Sequence, residues 1–183
     1  MKELSLNILD IAENSVRAKA NLTEIYIEES SETLTLTIKD DGLGMSKEIL
    51  ESVTNPFCTT RTTRSVGLGI PLLKLSAEQT GGRLKISSTQ AKTSTDPHGT
   101  TVVALYYKNH IDFTPLGDVI STVITLIQGH PDTDFLFKHK TEIGEVVLDT
   151  RELREILVEV PLDNYEVIKW IEGNLNQQYK SLK

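Results

Sequence analysis

The chain has 183 residues, 38% of them hydrophobic and 25% charged, enough apolar material for one large core or a core with an appendage, which excludes a disordered polymer. Its 26 acidic residues against 19 Lys and Arg give a net charge of -7, so nucleic acid and anionic membranes are not expected partners; both would be repelled. Its one cysteine, Cys58, admits no internal disulfide. No apolar run reaches the ~18–20 residues needed to cross a bilayer. The N-terminus carries Glu3 and Asp10 where a signal peptide would be uncharged, so a cytoplasmic location is expected.

In chain order, apolar residues at Ile8, Leu9, Ala12 and Val16 predict a first helix, with Ser5 as its cap. Ile25 and Ile27, then Leu34, Leu36 and Ile38, alternate with polar neighbours and predict two strands joined near Ser30 and Ser31. A short helix is expected from Ser46, then a Thr/Arg-rich loop, then a helix from Gly69 to Thr80 stopped by Gly81 and Gly82. Strands follow near Arg83–Thr89 and Thr100–Tyr107. Helices segregated from a largely antiparallel sheet make an α+β two-layer sandwich.

Composition shifts near Lys108, which divides residues 1–107 from a small α/β appendage over 108–183. There Thr114 and Pro115 are expected to start an amphipathic helix. A hairpin through DFLFKHK and EVVLD follows, then helices around Arg151–Leu157 and Asp163–Leu175, with Phe135 and Trp170 as core.

Three segments carry candidate chemistry. On the first helix Asp10, Asn14 and Arg17 share one face. Asn14 offers a hard oxygen to magnesium, and Asp10 could orient or deprotonate a water. Alone, such a stripe is also the pattern of a solvated helix face. Next, Asp40-Asp41-Gly42-Leu43-Gly44-Met45 follows a strand. Its glycines allow close backbone approach, and a carboxylate beside them could accept from an exocyclic amine, although Asp-Asp-Gly is equally ordinary turn chemistry. The third segment is Gly67-Leu68-Gly69 at the mouth of a helix, preceded by Thr59, Thr60 and Arg61. Orphan amides, a helix dipole and a guanidinium there make an anion site, but not a P-loop.

In order, LDIAENSVRAKA, KDDGLGMS, NPFCTTR, VGLGIPLLK and HGTTV resemble the asparagine, first glycine, phenylalanine, second glycine and closing Gly-Thr boxes of the histidine-kinase-like ATPase domain (Bergerat fold). This domain is shared by histidine kinases, gyrase B, heat-shock chaperones and mismatch-repair proteins, and the match covers nearly all of residues 4–104. The resemblance implies ATP and Mg2+ as cofactors, with Asn14 as magnesium ligand and Asp40 on the adenine amino group. Thr100 would reach adenine through water, Gly42, Gly44 and Met45 would receive the base, and Gly67, Leu68 and Gly69 the phosphates. Arg17 stands where kinases carry a phosphate-contacting lysine, and Asp10 where the catalytic glutamate or its substitutes stand, one methylene short. Residues 56–66 would be the lid over the triphosphate.

The implied activity is a regulatory ATPase or protein kinase in signalling, acting on a protein partner, with a homodimer compatible with it. The alternative is a nucleotide-sensing module that does not hydrolyse, as in anti-sigma regulators of this fold. With thirteen residues before Asn14, a phosphoacceptor hairpin is not expected there. His110 in an H-x-x-x-T-P-L run is a weaker acceptor candidate than a linker histidine, and His98, His130 and His139 lack metal-ligand spacing.

Overall fold

The computed structural model describes residues 3–53, 68–91 and 97–182. Period-two alternation decides the centre of the molecule. In β1 (Leu22–Glu29) Thr23, Ile25 and Ile27 face inward, and in β2 (Thr33–Asp40) Leu34, Leu36, Ile38 and Asp40 do, because successive strand side chains take opposite faces. The antiparallel register sets Ile25 against Ile38 and Thr23 against Asp40. β3 (Arg83–Thr89) and β4 (Gly99–Tyr107) add to the β2 edge, both antiparallel.

β5 (Asp134–Lys140) pairs in parallel with β1, and β6 (Glu145–Asp149) pairs antiparallel with β5, so the strands beyond residue 108 extend the same sheet. The order is β3-β4-β2-β1-β5-β6. One face of this six-stranded sheet is covered by α3 (Gly69–Gln79), α1 (Leu4–Arg17), α4 (Val119–Gly129) and α6 (Tyr165–Ser181), which pack side by side in that order. One continuous core runs from Leu4 and Ile8 through Phe135 and Phe137 to Ile171 and Leu175. The architecture is the expected α+β sandwich. Two short helices, α2 (Lys47–Ser52) and α5 (Thr150–Leu157), complete it.

Helix starts differ from the sequence expectation in an instructive way. Ser5 lies inside α1, whose N-cap position is Glu3, and the orphan amides of Leu4 and Ser5 donate to the carbonyls of Pro115 (2.9 Å) and Leu116 (2.8 Å). A distant segment therefore caps the helix, a job usually done by a local side chain. The same bonds engage the carbonyls of Pro115 and Leu116 outside any helix, and Gly117 follows with φ +79°. α4 begins later than Thr114, capped by Asp118, whose carboxylate accepts from Ser121 N at 2.9 Å. Phe135 is fully buried as expected, but Trp170 is exposed, since the inward face of α6 is taken by Val167, Ile168, Ile171 and Leu175. Val158, at the end of α5, has φ 54°, a conformation that costs a β-branched residue about 1–3 kcal/mol.

At the sheet end farthest from Asp40, Glu29 accepts from Lys108 Nζ (2.6 Å) and pairs with the buried His139 Nε2 (3.1 Å), while His139 Nδ1 lies 2.9 Å from the Tyr179 hydroxyl. Burial pushes the His139 pKa below its ordinary value; Glu29 opposes this and Lys108 assists it. A neutral ring fits both bonds, with Nε2–H donating to Glu29 and Nδ1 accepting from Tyr179.

The unfolded chain therefore takes up this proton first, and the stability that neutral His139 supplies is complete above the unfolded pKa and lost as pH falls through and below about 6.5. Thermal denaturation from pH 8 to pH 5 should show the melting temperature of the wild type falling more steeply than that of His139→Gln; parallel curves would contradict the assignment.

Candidate functional site

The site is built where α1 ends, β2 ends and β4 begins. Asp40 closes β2 on its inward face. Its buried carboxylate accepts three hydrogen bonds: Ser15 Oγ on α1 (2.9 Å), the amide of Gly42 (2.9 Å) and the amide of Thr100 on β4 (3.2 Å). A buried carboxylate without such partners would cost several kcal/mol. An ionised carboxylate has about four lone-pair positions. These bonds therefore leave about one acceptor position on Asp40 among the described residues. Directly opposite, on β1, the Thr23 hydroxyl is buried with no hydrogen-bond partner. Buried polar atoms are rarely left so, and this orphan beside Asp40 suits a polar ligand edge or a water. Asp41, by contrast, faces away and accepts from the amides of Asn21 (2.8 Å) and Leu22 (2.9 Å), holding the start of β1.

The glycines are required by contact. A Cβ at Gly42 would stand 2.8 Å from the Ala18 carbonyl, which accepts from Leu43 N at 2.8 Å and so ties the end of α1 to this loop. Gly44 has φ +67°, and a Cβ there would meet the Thr89 carbonyl at 2.0 Å. The neighbouring amide of Met45 donates to Ser88 Oγ (2.8 Å), which also pairs with Thr100 Oγ1 (2.9 Å). His98 Nδ1 lies 2.6 Å from the Gly42 carbonyl.

On α1, Asp10 is exposed and Asn14 half-buried, one turn apart, and each makes polar contacts of its own. The mouth of α3 arrives beside them. Leu68 is its N-cap position, and a Cβ at Gly69 would lie 3.2 Å from Asp10 Cβ. The positive end of the α3 dipole thus faces the polar stripe of α1. Arg17 is exposed, its guanidinium 3.9 Å from Glu13, whose other oxygen bonds His130 Nε2 at 2.8 Å. Thr59, Thr60, Arg61, Gly67 and the expected lid lie outside the described residues.

Asp10, Asn14, Asp40, Gly42, Gly44, Met45, Gly69 and Thr100 are therefore gathered around one end of the helix–sheet interface. Ser15 and Ser88 join the site without being among its sequence-predicted residues. Ser15 was detectable, as a polar residue in step with Ile8, Ile11 and Ala12 on the buried face of α1. Ser88 was not, because its partners come from β4 and the glycine loop.

Among the described residues no three His, Cys, Asp or Glu side chains converge as a metal site. A cation here would draw most of its ligands from its companion anion and water, with Asn14 supplying one oxygen, a donor set that fits magnesium.

A helix-lined mixed sheet with this glycine loop and buried aspartate defines a class of nucleotide-binding ATPase folds. The family profile described as histidine kinase-, DNA gyrase B-, and HSP90-like ATPase matches residues 2–111, and the chain belongs to that family. Sporulation kinase C of Bacillus subtilis is 29% identical over 96 residues, covering 51% of this chain and 22% of that protein. The C4-dicarboxylate transport sensor protein DctB of Pseudomonas aeruginosa is 30% identical over 91 residues, covering 48% of this chain and 15% of that protein. The chain thus spans about a fifth or less of the length of these sensor kinases. Among solved structures, the Aquifex aeolicus MutL ATPase domain complexed with ADP superposes with a TM-score of 0.55 at 16% identity, covering 86% of this chain and 70% of that one. Among the described residues no helix is long and apolar enough to cross a membrane.

Gly44→Ala should lower stability by at least about 1–3 kcal/mol, through forced φ and the clash with Thr89. Gly173→Ala, in the interior of α6 with open space around it, should raise stability by about 0.5–1 kcal/mol. Urea denaturation of the two variants checks the pair.

Proposed function

We propose that this chain binds ATP with Mg2+ in the cleft between α1, the glycine loop after β2 and the start of α3. The observation that carries this reading is Asp40: a buried carboxylate held rigid by Ser15, Gly42 and Thr100, with an acceptor position left and an orphan hydroxyl across from it. That arrangement suits an amino group on a flat base, and the family resemblance assigns that group to adenine. Asn14 holds magnesium, and Thr100 reaches the base through water. Leu68 and Gly69, with Gly67, Thr59, Thr60 and Arg61, receive the phosphates. Arg17 approaches them only if it leaves Glu13.

The activity proposed is that of an ATPase or protein kinase in cytoplasmic signalling, acting on a protein partner, and the sensor-kinase relatives support it. Asp10 acts on the attacking group. Intramolecular transfer to His110 is disfavoured by distance: at about 3.3 Å per residue, β4 alone separates Thr100 from Tyr107 by roughly 23 Å, and His110 lies beyond it. There it accepts from the amide of Asp112 (3.2 Å). A second reading, a sensor that binds without turnover, is favoured by the shortness of Asp10, one methylene less than the glutamate that the resemblance implies at that position.

Isothermal titration calorimetry tests the site. Asn14→Ala should abolish magnesium-dependent ATP binding, and Asp40→Asn should reduce the preference for ATP over GTP by about tenfold to a hundredfold, since a hydrogen bond to a charged group is worth about 1.5–3 kcal/mol. Unchanged affinities in both variants would remove the assignment. Single-turnover assays with labelled ATP and partner separate the two activities: no released phosphate and no phosphoprotein leaves the sensor.

A further inference from the structure

The turn between α5 and α6 exposes apolar side chains that nothing in the nucleotide cleft requires. Ile156 is 77% exposed, Val158 82%, Val160 44% and Tyr165 63%, all within ten consecutive residues. The turn is nonetheless well formed. Val158 N donates to the Arg154 carbonyl (3.0 Å), Val160 N to that of Leu157 (3.0 Å) and Asn164 N to that of Pro161 (3.1 Å), while Leu162 is fully buried and anchors the segment to the core. Val158 holds its left-handed conformation without burial in return. Strain and exposed apolar surface together mark contact sites, because neither helps an isolated fold.

Charge names the occupant. Glu155, Glu159, Asp163 and Glu166 are exposed around these side chains, and among the described residues none of them is in an ion pair. The arginines of α5 are already committed, Arg151 to Asp149 (2.6 Å) and Arg154 to Asp134 (2.7 Å). Lys169 sits over the Tyr165 ring, 4.7 Å from its centroid. An apolar centre with an acidic rim repels a second copy of itself, as it does nucleic acid and anionic lipid. It complements apolar residues flanked by lysine or arginine. We propose that the α5–α6 turn is a docking surface for a basic, apolar segment of a partner protein.

The test uses the full chain and a fluorescein-labelled synthetic amphipathic peptide of leucine and lysine, followed by anisotropy. It should bind, whereas a leucine–glutamate peptide and a serine–lysine peptide of the same length should not. Val158→Gly should weaken binding about fivefold or more while keeping or raising the melting temperature, since glycine accepts this φ freely. Ile156→Ser with Val160→Ser should weaken it at least tenfold, a loss of the size expected for central apolar contacts. Glu155→Gln, Glu159→Gln and Asp163→Asn together should weaken it and flatten its salt dependence. Glu32→Gln with Asp132→Asn, which removes two acids elsewhere, should leave affinity within about twofold. Equal binding of the serine–lysine peptide, equal loss in the Glu32/Asp132 pair, unchanged binding by Val158→Gly, or self-association abolished by Val158→Gly would each overturn the proposal. ATP binding should be unaffected in all these variants, so failure here is distinct from failure of the proposed nucleotide site.

Discussion

Burying a carboxylate at the end of a central strand forces its surroundings. Asp40 needs donors, and it draws them from three elements: the hydroxyl of Ser15 on α1, the amide of Gly42 in the loop that follows it, and the amide of Thr100 at the start of β4. Satisfying all three draws the end of α1 against the sheet and folds the loop back on Ala18, which no side chain at position 42 would permit. It also brings β4 so close that a Cβ at Gly99 would meet the Asp40 carbonyl at 2.0 Å, where φ is +131°. Gly42 and Gly99 are, in this light, consequences of one buried charge-bearing group. The same bonds hold the carboxylate in place before any ligand arrives, so little reorganisation is required on binding.

The C-terminal third is joined to this site through the backbone and through α1. β5 takes the free edge of β1 in parallel, and α4 packs between α1 and α6. The amides that open α1 end on carbonyls of residues 115 and 116, and Glu13, next to Asn14, bonds His130 at the end of α4. These contacts tie α1, which carries Asp10 and Asn14, to α4 and through it to α6. The acid-rimmed turn between α5 and α6 is separate from the cleft in residues and in chemistry.

Much of the fold was legible along the chain because it depends on periodicities that survive into the tertiary structure. The alternation in residues 33–40 places Asp40 and not Asp41 on the core face, and the structure finds Asp41 employed at the start of β1. Stripe spacing set Asp10 and Asn14 a turn apart on α1, while the bond from Ser15 to Asp40 depends on how α1 lies across the sheet. The cap expected at Ser5 is absent because local propensity assumes a side-chain cap, and here the cap of α1 is a pair of carbonyls more than a hundred residues away, whereas α4 does take a side-chain cap, from Asp118 and not Thr114. Trp170 was misjudged because amphipathic spacing identifies an inward face without saying which large residue falls off it.

By itself, then, the sequence determined the two-layer architecture, the identity of the glycine-bounded motifs and the stripe that faces them, since these rest on side-chain period and on residue types with few backbone alternatives. Tertiary structure alone decided that the strands beyond residue 108 would continue the same sheet, that Ser15 and Thr100 would share one carboxylate, and which apolar side chains would stay in water. Those outcomes depend on edges, registers and helix placements, and contacts between residues far apart in sequence have no local signature.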